Sequence, residues 1–156
     1  MKKFPIVAIL DNIRSALNVG AMLRTADGAN IQEMYLLGIT PYPPHDRVLK
    51  TALGAQNLVV WHHENNSARV LEELAKKMTL VSVEITENAK IYFNYTFPKP
   101  VGVIFGNEIT GVSDFALNKS LEVVKIRMFG KKSSLNVATS FGIIIFEIIR
   151  QWQQHA

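Results

Sequence analysis

The 156-residue chain has no cysteine. Disulfides and thiolate metal sites are therefore excluded, and the composition suits a reducing cytosol. It has no apolar run long enough to span a bilayer: Gly142–Ile149, "GIIIFEII", is broken by Glu147 and falls far short of the ~20 residues required. Near the N-terminus, Ile6–Leu10 follows two lysines but ends at Asp11, too short for the apolar core of a signal peptide. The expectation is a cytoplasmic protein with no membrane segment. No H-E-x-x-H is present, and His62 and His63, if on a strand, face opposite sides, so no metal is expected. Without a G-x-S-x-G elbow a serine hydrolase has no support. Gly106 and Gly111 have the spacing of a phosphate loop, but Val112-Ser113 replace its Lys-Ser/Thr. No G-x-G-x-x-G exists either. Charge is modest: 19% of residues are charged, with a net +4 and a pI near 9.4. That excess favours a polyanionic partner but is shared by many proteins without one.

What is present alternates short apolar runs with helical patterns over a length that fits one domain, residues 1–156. Strands are expected at Ile6–Leu10, Met34–Gly38, Leu58–Trp61, Thr79–Glu84, Val101–Phe105 and Val123–Arg127. Helices are expected at Asn18–Ala29, Arg47–Leu53, Ser67–Met78, Ser113–Asn118 and Ser134–Gln153, the last being the longest. Gly38–Pro44, "GITPYPP", reads as a loop, and the aromatic stretch Asn88–Pro100 as irregular but ordered. The alternation predicts an α/β fold, a parallel sheet with helices on both faces. Ligands of such sheets bind beyond the carboxyl ends of the strands.

Three stretches following strands carry unusual residues. In "NVGAMLRTA", Asn18–Ala26, Asn18 can cap the helix, and Arg24 shares a helical face with Gly20, Ala21, Asp27 and Gly28. Those short neighbours leave room for another chain to approach. The plainer alternative is an exposed arginine paired with Asp27 on a helix packed closely against a sheet. In "FGNEITGV", Phe105–Val112, a glycine-bounded loop holds Asn107 and Glu108. The alternative is an ordinary connection with a solvated carboxylate. In "IRMFGKKSSLNVATSFG", Ile126–Gly142, Lys131 and Lys132 form a basic loop, and Ser133 or Ser134 opens a helix. Asn136 in the first turn is a poor helix former, which hints that its side chain has a task.

In this order and spacing the three stretches resemble the SpoU/TrmH family of RNA ribose 2′-O-methyltransferases, within the SPOUT superfamily, over nearly the whole chain. The first motif matches at Asn18, Gly20, Ala21, Arg24, Thr25 and Ala26. The second matches throughout Gly106–Val112. The third matches at Ile126, Met128, Gly130, Ser134, Leu135, Asn136 and Val137. A fainter feature falls at Lys50–Ala55. Two departures stand out: Arg127 where the family has proline, and Ala138 where serine commonly follows Asn-Val. Without the additional RNA-binding domain of many relatives, the chain resembles the bare catalytic core.

The resemblance implies a trefoil knot near the C-terminus whose loops bind S-adenosylmethionine. Carried over, that pocket is made by Phe105, Gly106, Asn107, Gly111, Ile126, Met128, Gly130, Ser134, Leu135 and Asn136. Apolar walls from Ile126, Met128 and Leu135, with loop amides, suit an adenine. The implied reaction is methyl transfer to a ribose 2′-hydroxyl of RNA, tRNA rather than rRNA, without a metal. Arg24 is the expected catalytic centre, stabilising the developing alkoxide, since its guanidinium is hard to deprotonate. Asn18, Asn136, Ser134 and Glu108 are expected to fix geometry. The family works as a homodimer, which would bring Arg24 to the partner's pocket, with Phe141, Ile145, Ile148 and Ile149 in the interface. Arg47, Lys50, Lys131 and Lys132 are candidates for RNA phosphates. The rival readings are a non-catalytic RNA-binding dimer with a vestigial pocket, and an α/β nucleotide-binding or redox protein.

Overall fold

The computed structural model describes residues 1–156. Seven strands form one sheet: β1 (Phe4–Asp11), β2 (Ile31–Leu37), β3 (Trp61–Glu64), β4 (Thr79–Val83), β5 (Lys90–Ile91), β6 (Val101–Gly106) and β7 (Glu122–Lys125). Their order is β3-β2-β1-β6-β4-β7-β5, and every pairing is parallel. The helices are α1 (Ala16–Gly28), α2 (Asp46–Ala52), α3 (Ser67–Lys77), α4 (Asp114–Lys119) and α5 (Val137–Gln154).

Successive strand residues point to opposite faces. Ile6, Ala8, Leu10, Val101, Val103 and Phe105 therefore pack with α1, α2 and α5 in one cluster. Val7, Ile9, Leu80 and Ile104 pack with α3 and α4 in the other. The central strands are buried on both sides, so they read as continuous apolar runs.

Apart from β5, a two-residue strand inside the stretch expected to be irregular, the structure departs from the sequence expectations in three places. Of the expected strand Leu58–Trp61, only Trp61 belongs to one, as the first residue of β3. Leu53 and Gly54 take left-handed angles (φ 51° and 92°) that end α2, and a short 3-10 turn spans Ala55–Asn57. Val59 is buried and Trp61 packs against the core, while Leu58 and Val60 are exposed. Pairing with β2 begins only at Trp61, opposite Met34. Secondly, α1 is capped by Ser15, whose hydroxyl accepts the Asn18 N–H, so Asn18 lies inside the helix. Thirdly, α5 opens at Asn136, not at Ser133 or Ser134. Its Oδ1 accepts the N–H groups of Ala138 and Thr139 at 2.8 and 3.2 Å.

The Asn88–Pro100 stretch is strapped onto α5. Gln151, largely buried, accepts the Phe97 N–H at 3.1 Å and donates to the Tyr95 carbonyl at 2.9 Å. Trp152 Nε1 donates to the Phe97 carbonyl at 3.1 Å. A leucine at Gln151 would leave two backbone groups unpaired, each costing about 1–3 kcal/mol. Gln151→Leu is therefore expected to lower the urea midpoint with the slope unchanged; an unmoved midpoint would mean the strap contributes nothing.

Candidate active site

The carboxyl ends of β4, β6 and β7 surround a cavity of about 570 Å³. The loop after β6 forms one wall. Asn107 Oδ1 accepts the N–H groups of Ile109 and Thr110 at 2.8 and 3.0 Å, folding the loop into a turn closed by paired Asn107–Gly111 backbone bonds. Gly111 has a φ of 76°, open to glycine at little cost. At Gly106 a Cβ would lie closer than 3.0 Å to the Gly111 and Val112 backbone, so only glycine lets the turn fold back on its strand. The chain from Ile126 to Asn136 forms the facing wall.

Glu108 joins this turn to α1. Its two carboxylate oxygens accept the N–H groups of Arg14 and Ser15, both at 2.8 Å. A carboxylate there also complements the positive end of the helix. Asn18 Nδ2 reaches the same carboxylate at 3.4 Å, and Asn18 Oδ1 accepts from Asn136 Nδ2 at 3.1 Å. One side chain from each of the three singled-out stretches thus enters a single hydrogen-bonded series, Glu108–Asn18–Asn136. Asn136 has two tasks at once: it caps α5 and holds Asn18.

Phe105, Gly106, Asn107, Gly111, Ile126, Met128, Ser134, Leu135 and Asn136 all line the cavity, as does Glu108. Gly130 does not; nothing lies within 4 Å of where its Cβ would be, so it belongs to the open outer part of the loop. Arg127 sits over the Phe129 ring, 5.3 Å from its centroid. Ala138 contributes its N–H to the Asn136 cap, a bond that needs no hydroxyl.

Arg24 is elsewhere. It is exposed on α1 and forms no ion pair with Asp27. It lines a separate open cavity of about 630 Å³ with Ala21, Gly28, Lys50 and Phe146. Of the small residues around it, Gly20 is not open to another chain: α2 fills that place, and a Cβ would fall on Thr51 Oγ1 and the Val48 carbonyl. Gly28 and Ala21 remain beside the open cavity. The expected interface residues Phe141, Ile145, Ile148 and Ile149 are buried in the chain's own core, because α5 turns its apolar face to the sheet. Its outer face carries Phe146, half exposed.

Two acids escaped the sequence reading. Glu84, just past β4, accepts the Val112 N–H at 2.8 Å and lines the cavity. Its position at the carboxyl end of a strand is the signal that could have found it. Asp11, 1% exposed at the end of β1, accepts the Ser113 N–H at 2.8 Å and holds the start of α4. No group of three histidine, aspartate or glutamate side chains is placed to bind a metal, and no helix is long and apolar enough to cross a membrane.

A parallel sheet with its cavity at the carboxyl ends, walled by the second and third stretches and tied to the first through Asn18, defines a fold shared with known RNA-modifying enzymes. Residues 5–146 match the SpoU rRNA Methylase family, and the chain belongs to it. The chain is 31% identical over 149 residues to the tRNA (guanosine(18)-2′-O)-methyltransferase of Thermus thermophilus, covering 94% of this chain and 75% of that protein. It is 30% identical over 147 residues to the 23S rRNA (guanosine-2′-O-)-methyltransferase RlmB of Pseudomonas aeruginosa, covering 94% of this chain but only 59% of that relative's length. The fold matches that of the SpoU methyltransferase AviRb from Streptomyces viridochromogenes, solved with the cofactor AdoMet. The TM-score is 0.89 at 21% identity, over 99% of this chain and 63% of that one.

Proposed function

We propose that the chain, as one domain over residues 1–156, transfers a methyl group from S-adenosylmethionine to a ribose 2′-hydroxyl of RNA. The observation that carries the reading is a cavity walled by the second and third family motifs, with the first motif tied to two of its lining residues through the Glu108–Asn18–Asn136 series. The cavity fits the cofactor chemically. Ile126, Met128 and Leu135 offer apolar surface for a base, and Ser133, Ser134 and the loop amides offer polar groups at its edge. Its volume lies within the range of about 300–1,000 Å³ usual for small-molecule sites.

When bound, S-adenosylmethionine supplies a methyl on a sulfonium, an electrophile that needs no metal to activate it. The protein's part is orientation and charge. Asn136 and Asn18, locked to each other, hold the rim of the cavity in one geometry. Glu108 keeps the Asn107–Gly111 turn on the end of α1 and acts through position, since its oxygens are already taken by N–H groups. In this reading Ser134, on the cavity wall, hydrogen-bonds the substrate hydroxyl. Arg24 stabilises negative charge growing on the 2′-oxygen, whose proton leaves to solvent or to a neighbouring RNA phosphate.

Arg24 and the cavity lie apart within one chain, so the site is completed by a second copy. The exposed Leu17, Arg24 and Gly28, with half-buried Ala21 among them and Phe146 beside them, support a two-fold contact of this kind. We also infer a trefoil knot near the C-terminus, which the resemblance to the family implies; the hydrogen bonds from Gln151 to Tyr95 and Phe97, which bring the chain before β6 against α5, agree with it. We take tRNA as the substrate class, because the tRNA-acting relative is the one whose length this chain covers more fully.

The test has two stages. Calorimetry should register S-adenosylmethionine binding; a protein that binds RNA but gives no heat is the non-catalytic RNA-binding dimer instead. Mapping ribose methylation in tRNA and rRNA from cells with and without the protein should then reveal one missing 2′-O-methyl group in tRNA. Its absence from rRNA instead would reassign the substrate.

A further inference from the structure

The loop between β2 and α2, residues 38–45, has no part in the mechanism above, yet it is tied down along its length. Thr40 is buried; its Oγ1 accepts the Ile13 N–H at 3.0 Å and donates to the Leu37 carbonyl at 2.7 Å. Asn12 Oδ1 accepts the Ile39 N–H at 3.1 Å, and His63 Nε2 lies 3.2 Å from the Gly38 carbonyl. Tyr42 stacks on the His63 ring with centroids 3.9 Å apart. A loop held this way has lost its conformational freedom before any ligand arrives, which lowers the entropy cost of binding.

The outer end of this loop walls an open cavity of about 400 Å³, with Pro41 and His45 facing Arg14, Arg47, Glu108 and Ile109. Glu108 and Ile109 also line the proposed methyl-transfer cavity, so the two are neighbours with a shared wall. Arg14, His45 and Arg47 are exposed, and none pairs with a carboxylate. The one acid lining the cavity, Glu108, is occupied by the N–H groups of Arg14 and Ser15. His45 Nδ1 accepts the Arg47 N–H at 3.2 Å, which places the proton of the neutral ring on Nε2 as a donor. Ile109 is 74% exposed, a large apolar side chain held in solvent where the cavities meet.

Cationic forks beside an apolar surface suit a nucleotide: guanidinium groups match a phosphate, and an unstacked base can lie on side chains. We propose that this cavity holds the nucleotide next to the methylated one, in a single-stranded segment of the RNA. Arg14 and Arg47 grip its phosphate, His45 donates a further hydrogen bond, and Pro41 with Ile109 supports its base. A base paired in a duplex cannot lay its face there, which is why the segment is single-stranded. The proposal rests on the RNA-methyltransferase reading and adds a recognition subsite to it.

The probe is a fluorescein-labelled 20-nucleotide single-stranded RNA, and the same strand annealed to its complement, followed by anisotropy over a salt series. In the Arg14→Ala/Arg47→Ala double variant, single-strand affinity should fall about tenfold, and the slope of log K against log salt should become shallower by about 0.7, one phosphate contact. The Arg14→Lys/Arg47→Lys pair should recover the slope. Duplex binding should change little; an equal loss on the duplex would overturn the single-stranded assignment. S-adenosylmethionine is titrated calorimetrically into each protein in parallel. An unchanged slope with normal cofactor heat overturns the subsite alone. A reduced slope in a protein without cofactor heat overturns the methyltransferase reading and leaves the subsite standing. Failure of the wild type to bind either RNA overturns the subsite.

Discussion

Replacing Arg24 with alanine is expected to lower methyl transfer by about 10²–10³-fold, the usual effect of removing one group that stabilises a developing oxyanion. S-adenosylmethionine should bind the variant with unchanged heat. The reason is positional: Arg24 lines the open cavity with Lys50 and Phe146, away from the residues proposed to hold the cofactor. Its side chain is exposed and unpaired, so its loss removes no bond from the fold. Lysine at this position should restore little, because a point charge lacks the planar fork that two acceptors can share. If a second copy completes the site, mixing Arg24→Ala protein with a variant crippled only in its cofactor cavity should regain part of the activity in mixed dimers. Retained turnover in Arg24→Ala, or lost cofactor heat, would refute the role given to it.

The second large effect is expected at Gly20. A methyl group there would fall on Thr51 Oγ1 and the Val48 carbonyl oxygen, with the Ala52 nitrogen only 2.9 Å away. Two of these three atoms are backbone and cannot rotate aside. Thr51 is also engaged, donating to the Leu17 carbonyl at 2.8 Å and so tying α2 to α1. Gly20→Ala must therefore push the helices apart and break that bond. Overpacking of this kind costs about 1–3 kcal/mol, and the lost hydrogen bond adds about 1 kcal/mol. Alanine is the better helix former by ~0.8–1.0 kcal/mol, so propensity alone predicts the opposite sign. Urea unfolding decides between them: a lowered midpoint shows that close helix packing wins. Arg24 sits one turn further along the same helix, and a displacement near 1 Å can cost ~10²-fold in rate. A Gly20→Ala protein that unfolds later than wild type would mean that α2 does not press on α1 in solution.

Much of this arrangement was legible in the residues. The runs "IVAIL" and "VGVIF" are apolar at every position because helices cover both faces of their strands, and both became central strands. Val70, Leu71 and Leu74 recur at helical spacing and are buried on α3. The glycines and Asn107 of "GNEITG" announced a turn, and the turn is there. Capping was harder to read. Ser15 and Asn18 are both good caps, and the choice fell to Ser15 because Glu108, more than ninety positions away, takes the N–H groups of Arg14 and Ser15. Asn136 was marked as a residue with a task, but its bond to Asn18 spans 118 positions and leaves no local trace.

Taken alone, the order of residues determined the alternation of strands and helices, the places where glycine must turn the chain, and the family to which it belongs. Those properties are set by side-chain shape and polarity over a few neighbouring positions. Tertiary structure alone decided that the space beside Gly20 belongs to α2, that the apolar face of α5 is spent on the sheet, and that Glu108, Asn18 and Asn136 join hands. A small side chain creates room, and a polar one a demand for a partner. Which atoms arrive to fill either is settled by packing between segments far apart in the chain.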